Sequence, residues 1–462
     1  MELDARSVTD GSTMDTDVCV IGAGPAGLTV ARELAGDGVE VVVLESGAIG
    51  HDDDAQRLNE GRVEGDPYVG LRETRHRQVG GMSHIWNTVV GGRTGWAKHA
   101  PLDAQDFAVD DADGWPFDRA HLEPFYHRAQ ELCGVAGSWD AACATGGDHH
   151  TFDFPAGALA TGLYRFGHGE RWTGRYLHEL RPLRNLRLVY GATAMPFAMD
   201  VGSNGARVAL VPVAANGARF AVRARRLVLA CGAVETARLL LATAAIEPRA
   251  PWREHGQAGR WFVEHPRDFA LTLEQVQPAF LRAVEHYDAR AISDGSVVGA
   301  RVGPSPALLA AGSLNFGISV LPLARPGVIG RLRTRWSGVA ARQPGYGWSA
   351  VSRASAFERF RLIVNLEQRP NVFNRVALDT ARDRHGVPRP VLHWRWGADE
   401  ASVVERLREQ LRDWFAEARL GAIRWEPYAS IDPGAHHHAG TARMHPDPRY
   451  GVVDANGQVH GT

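Results

Sequence analysis

Gly22-Ala23-Gly24-Pro25-Ala26-Gly27 is the stretch that decides how this chain folds. Residues 16–21 before it form a β-type run, and a helical pattern through Leu28, Ala31 and Leu34 follows it. A second β-type run over 39–44 then ends on Glu45, eighteen residues after Gly27. Strand, GxGxxG turn, helix, strand and terminal acid make one βαβ unit shaped for a dinucleotide. Gly22 permits the tight turn, Gly24 lets the backbone approach a pyrophosphate, and Gly27 lets helix and strand pack closely. Pro25 and Ala26 open the helix, whose first N–H groups and positive dipole end favour an anion. Glu45 is placed to accept from the ribose hydroxyls, with Ser46 beside it. The fingerprint grips an ADP half that FAD and NAD share, so it does not choose between them.

Outward from this unit, residues 50–80 are polar, rich in Gly and Arg and without a clear period, which predicts a loop excursion lying over a site. Asp118 reads as the cap of a helix reaching Leu132, with Phe125, Ala129 and Leu132 on one side. Three β-type segments, 186–190, 208–213 and 220–230, are separated by the turn signals Ser203-Asn204-Gly205 and Asn216-Gly217, and predict a β-meander. Strand-like stretches recur at 269–273, 315–321, 362–366 and 391–396. The clearest helix follows, with Asp399 as candidate cap and Val404, Leu407, Leu411, Trp414 and Ala418 as its core-facing stripe. The expected fold is α/β: a Rossmann-like domain with a β-meander, formed by residues 14–265 and 431–462, and an α+β substrate domain with an antiparallel sheet over 266–430.

The chain has 462 residues, enough for two such units. Hydrophobic residues at 44% and charged residues at 23% match an ordinary globular protein, and a formal charge of -2 argues against a nucleic-acid footprint. Cys19, Cys133, Cys143 and Cys231 form neither a CxxC pair nor a zinc spacing, which disfavours a disulfide reductase and a metal site. Acids stand at the N-terminus where a signal peptide needs basic residues, and no apolar run of about 18 residues occurs. The expectation is a cytoplasmic protein with no membrane span.

Five segments, in order, resemble the glucose-methanol-choline (GMC) oxidoreductases, in particular bacterial members acting on sugars and polyols. They are the opening strand, loop and helix; Gly80-Gly81-Met82-Ser83-His84-Ile85-Trp86; Ala230-Cys231-Gly232-Ala233; Gly259-Arg260-Trp261-Phe262-Val263-Glu264-His265-Pro266; and His437-His438-Ala439-Gly440-Thr441-Ala442-Arg443-Met444. The resemblance covers essentially the whole chain. It implies FAD in an extended form, with Gly80, Gly81, Ser83, Trp86 and Asn87 along the flavin and Cys231 and Gly232 near the pyrophosphate. Asp454 joins the cofactor-binding set on the same ground. Some relatives link flavin covalently through a histidine directly before the tryptophan, but Ile85 stands there and the histidine is His84. Taking the segment as a strand, that one-residue shift turns the side chain away, so non-covalent FAD is expected.

Oxidising an alcohol with a flavin requires a base for the hydroxyl proton, and imidazole suits the task near neutral pH. The resemblance puts that base three positions before the glycine of Gly440-Thr441, at His437, with His438 beside it in the catalytic set. Neighbours on an extended chain point to opposite faces, so the run His436–His438 is not expected to hold a metal. Relatives continue past a segment like Val459-His460-Gly461 with residues that supply a second His or Asn, so the C-terminal part is expected to be missing here. The implied reaction converts a primary or secondary alcohol, of sugar, aminosugar or polyol type, to a carbonyl, with oxygen or a quinone-like acceptor. A non-redox lyase on the same scaffold, or a catalytically weak flavin-binding protein, are the competing readings.

Overall fold

Strand Thr13–Ile21 sits inside an eight-stranded sheet, parallel to Val41–Glu45 on one side and to Ala218–Leu229 on the other. The computed structural model describes residues 2–107, 114–139, 151–202, 205–292, 295–323, 347–350, 354–427 and 429–462. Cys19 and Ile21 face one apolar cluster while Val18 and Val20 face another, so the strand is buried on both sides. That explains why its sequence reads as an apolar run rather than an alternation. Helix Pro25–Gly36 follows directly, buries Leu28 and Ala31 on the sheet, and returns the chain to Val41–Glu45.

Leu186–Tyr190 is not part of the meander. It runs parallel to Val41–Glu45 and to Glu2–Asp4, because Leu186 and Leu188 fill one cluster and Val189 the other. The meander is built instead from Ala198–Gly202, Gly205–Ala215 and Ala218–Leu229. Of its two turn signals, Asn216-Gly217 makes the last turn, with Gly217 at φ 89°, whereas residues 203–204 lie outside the described residues.

Residues 50–80 also depart from the expected loop. Helix Asp53–Gln56 and strand Arg62–Gly65 form there, the strand pairing parallel with Pro388–Trp394. No local pattern announces a strand whose partner lies more than 300 positions away.

The second sheet has ten strands. Phe360–Leu366 and Phe316–Pro322 pair antiparallel near its middle, and Thr88–Val90, Arg93–His99 and Leu159–His168 extend it. These last three come from outside residues 266–430. Around 269–273 two short strands form, Arg267–Asp268 and Thr272–Glu274. Phe360, Leu362, Val364 and Leu366 alternate with Arg361, Ile363 and Asn365, so one face is apolar. Helix Ala398–Glu417 packs into the same apolar cluster through Val404, Leu407 and Leu411. Its cap is Gly397; Asp399 lies one residue inside the first turn, where a carboxylate complements the dipole.

Asp118 does cap helix Arg119–Cys133, accepting from His121 N at 3.0 Å, but Phe125 is 55% exposed, so that side is not a core stripe. Cys19, Cys133 and Cys231 are free thiols, and Cys143 lies outside the described residues. Among the described residues, no His/Cys/Asp/Glu group could hold a metal ion, and no helix is long and apolar enough to cross a membrane.

Candidate active site

The glycine turn is crowded to the point of excluding side chains. Gly22 has φ 104°, and a Cβ there would stand 2.6 Å from Ala230 O; a Cβ on Gly27 would stand 1.9 Å from Gly22 O. Gly24 is the N-cap of the first helix with no side-chain cap, which leaves the first-turn N–H groups facing outward from the turn. The Glu45 carboxylate is buried and accepts Ala23 N–H at 2.9 Å and Gly47 N–H at 2.7 Å. Burial raises its pKa above the usual carboxylate value, those two bonds opposing the rise.

The Gly80 segment reaches the turn directly. Gly80 N–H donates to Ala23 O at 2.7 Å, and a Cβ on Gly81, at φ 53°, would come 2.9 Å from Gly24 Cα. Residues Gly81–Ile85 form a 3-10 helix rather than a strand, closed by Ser83 Oγ donating to Gly80 O at 2.7 Å. The strand argument for His84 therefore fails, and a one-residue step here turns a side chain by about 120°. His84 Nε2 is bonded to Val79 O at 2.7 Å. Trp86 meets His99 edge to face, and Asn87 is exposed.

Cys231 is the N-cap of helix Gly232–Ile246, and its Cα would lie 3.0 Å from a Cβ on Gly22. Glu235, in this helix's first turn, pairs with Arg75 at 3.1 Å and Arg77 at 2.7 Å. Arg77 also donates to Ser46 Oγ at 2.7 Å, so one guanidinium joins the end of Val41–Glu45 to the second helix. Sequence reasoning missed Arg77 and Glu235, since nothing in a lone charge announces a partner so far along the chain. Asp454 stands apart: it accepts Asn456 N–H and Gln458 N–H at 2.9 Å and closes its own turn.

The histidine segment is fastened to these elements by Thr441, whose buried hydroxyl donates to Ala233 O at 2.7 Å. Val263 and Ala439 form an antiparallel bridge, with both N–H···O bonds at 3.1 Å. Gly440, at φ 87°, is needed there because a Cβ would fall 1.8 Å from Trp261 O. Trp261 and His436 both adopt φ 64°, a left-handed strain of order 1 kcal/mol each.

Glu264 organises this crossing and was not singled out from sequence. It is 2% exposed, and its Oε1 accepts the N–H of both His265 and His437 at 2.8 Å. Its Oε2 accepts Tyr68 O–H at 2.5 Å. Because Tyr68 spends its proton on Glu264, His438 Nε2, 2.9 Å from the Tyr68 oxygen, is the donor in that contact. His438 is thus a neutral Nε2–H donor turned inward onto Phe262, its pKa pushed down to about 3 chiefly by burial. That inward placement sets the His438 side chain apart from the exposed His437.

His437 is exposed along one side while the protein crowds the rest of its ring. That loss of water, then the neighbouring His265, Arg267, His436 and Lys98, push its pKa down to about 4. Its imidazole is neutral at pH 7 and able to accept a proton. Lys98 is held on the second sheet with its Nζ 2.7 Å from Ser319 Oγ and above the Tyr164 ring. Burial and Arg267 bring its pKa down to about 7.

The donor set fits FAD: an uncapped helix N-terminus, glycines whose Cβ atoms the fold would reject, and a buried carboxylate at the ribose position. Residues 15–64 match an FAD binding domain, and residues 370–462 match the family described as GMC oxidoreductase. Among solved structures, pyridoxine 4-oxidase from Mesorbium loti is 17% identical, with a TM-score of 0.54 over 96% of this chain and 92% of that one. Formate oxidase is 16% identical, with a TM-score of 0.53 over 98% of this chain and 92% of that one. The R554A variant of formate oxidase from Aspergillus oryzae is 17% identical, with a TM-score of 0.53 over the same shares. At such identities the likeness is one of fold. No curated protein matches the chain by sequence. A match to an FAD binding domain near the N-terminus and a match to the GMC oxidoreductase family at the C-terminus thus lie on one fold, which the chain shares with these oxidases.

Proposed function

We propose that the chain oxidises a primary or secondary alcohol to an aldehyde or ketone, with His437 as the base that takes the hydroxyl proton. When bound, FAD supplies the hydride acceptor, at N5 of its ring. The observation that carries the reading is His437 itself: an exposed imidazole, neutral at pH 7, whose backbone N–H is fixed 2.8 Å from a buried carboxylate. Glu45, Ser46, the glycine turn, Gly80, Gly81, Ser83, Trp86, Asn87, Cys231 and Gly232 form the cofactor set in this reading, without Asp454, which closes its own turn. Residues 14–265 and 431–462 hold FAD, and 266–430 hold substrate together with the strands at 88–99 and 159–168.

The substrate in this reading is a sugar, aminosugar or polyol-like alcohol, which Lys98, Ser319, Tyr164 and Trp96 could meet with donors and ring faces. Pyridoxine 4-oxidase and formate oxidase, by their names, act on small polar molecules too. Oxygen or a quinone-like acceptor completes the cycle. FAD is held non-covalently, since Val79 O already engages His84 Nε2. The free thiols suit a reducing compartment, and we place the enzyme in the cytoplasm. Anaerobic titration of the flavin-loaded protein with sugars, polyols, aminoglycosides and simple alcohols tests the reading. Bleaching of the flavin by an alcohol is expected; a lyase would leave it yellow with every alcohol.

A further inference from the structure

We propose that the alcohol oxidised here is a hydroxy acid, its carboxylate held by Lys98 on the second sheet while its hydroxyl lies at His437. The inference rests on the reading of His437 as base, and narrows the substrate to alcohols that carry an acid group.

Strand pairing decides which side chains share a face. Lys98 lies opposite Phe166 and Trp96 opposite His168, while Tyr164 lies opposite Gly299 and Gly162 opposite Arg301. Opposed and alternate residues keep one side of a sheet, so Trp96, Lys98, Tyr164 and Arg301 stand together. The other side is core, with Leu163, Val298, Ala300 and Val302 all buried. Val302 pairs with Ile318, which puts Ser319 on the side of Arg301. The pairs Gly317–Asn365 and Arg267–Asn365 bring Arg267 to that side as well.

This polar side is concave. Two strands, Leu159–His168 and Val297–Pro304, lie between those of Lys98 and Ser319, about 14 Å of flat sheet and more than a lysine and a serine span. Lys98 Nζ nonetheless stands 2.7 Å from Ser319 Oγ, so the sheet curls toward this side. The amine lies 5.1 Å from the Tyr164 ring centroid, and the Arg301 guanidinium lies 5.4 Å from the same point. Gly317 makes room for the phenol, since a Cβ there would stand 2.8 Å from Tyr164 Oη.

The hollow is rich in donors. Among the described residues, Trp96 Nε1 and Arg267 Nε are buried N–H groups with no hydrogen-bond partner, a costly state that an acceptor on a ligand relieves. Arg267 and Arg301 are matched by Asp432 at 2.5 Å and Asp103 at 3.4 Å. Lys98 is partly exposed, and burial together with the like charge of Arg267 weighs against its ammonium. A carboxylate beside it offsets both, and its two oxygens accept from more than one donor at once. The hydroxyl of a neutral polyol accepts without bringing a charge. Lys98 and Arg267 both act on the His437 ring through their charge, which keeps the hollow within reach of the base.

The test is anaerobic stopped-flow reduction of the flavin-loaded enzyme by matched pairs of alcohols: glycerate against glycerol, and the five- and six-carbon aldonates against the alditols of equal length. The acids are expected to be preferred, through tighter binding rather than a faster limiting rate. In Lys98→Met that preference is expected to fall about 10- to 100-fold, the span for one charged hydrogen bond, and Lys98→Arg is expected to keep part of it. The preference is a ratio taken within one protein, so a loosely folded variant does not imitate its loss. Butyrate, which has no hydroxyl to oxidise, is expected to compete with the reducing alcohol in wild type and not in Lys98→Met. Acids no better than their polyols, a preference that survives in Lys98→Met, or butyrate that fails to compete overturns the inference while leaving the oxidation intact. A flavin that no alcohol reduces, charged or neutral, overturns the base and this inference together.

Discussion

The carboxylate of Glu264 accepts the backbone N–H of His437 at 2.8 Å, although 173 residues separate the two. The same side chain satisfies His265 N–H and Tyr68 O–H, so three parts of the chain converge on one buried charge. Glu264→Ala strands all of these donors in the interior. We expect a loss of about 3–5 kcal/mol, the cost of breaking a buried charged network, in chemical unfolding of the flavin-loaded protein. A loss below about 1 kcal/mol would show that the network carries no weight.

Gly81 and Gly440 have no room for a methyl group, at 2.9 Å from Gly24 Cα and 1.8 Å from Trp261 O. Gly81→Ala is expected to abolish stoichiometric flavin binding, and Gly440→Ala to displace the histidine segment. Gly36, at the end of the first helix with nothing within 4 Å, serves as control. There alanine should be neutral or stabilise by up to about 1 kcal/mol. Normal flavin content in Gly81→Ala would count against the site.

The acid side of kcat/KM should follow His437. Its pKa of about 4 means the neutral base persists well below the ordinary histidine range. Activity on a non-ionising alcohol should stay level from pH 8 to pH 6 and fall only on approach to 4. An acid limb centred near 6.5 would mean that the crowding around the ring is absent in solution.

Lys98 should make stability depend on pH. Its ammonium is depressed from 10.5 to about 7, so folding favours the neutral amine. The folded state binds fewer protons than the unfolded one between those values, which means a cost that grows as pH falls from 10.5 to 7 and is complete below 7. Lys98→Met removes the cost. Its Tm should exceed wild type by a few degrees at pH 6 and by little at pH 10.5; an equal gain at both would point to packing alone.

Acid precipitation tests the mode of flavin attachment. With His84 Nε2 bonded to Val79 O, the yellow colour should stay in the supernatant. Colour retained in the pellet would require a covalent link.

The nucleotide turn was legible because its cues are local: glycines at fixed spacing, apolar runs on either side, and an acid at the end of Val41–Glu45. The stripe of Ala398–Glu417 was legible for the same reason. What escaped depends on remote partners. Arg62–Gly65 looks like loop until Pro388–Trp394 lies beside it, and Leu186–Tyr190 looks like a meander strand until both its faces are covered. Glu264 was visible within a family segment, but its role exists only in the crossing with 436–440. An acid following Phe262 and Val263 was the one available hint, since a carboxylate in an apolar run needs partners.

Thr441 couples what the two halves of the chain contribute. Its hydroxyl grips the helix whose preceding residues abut Gly22, only four positions after His437. A nucleotide that seats on the turn therefore braces the base as well, so cofactor loss and disarray of the imidazoles arrive as a single event, and the empty protein should be cut by proteases first around 436–441.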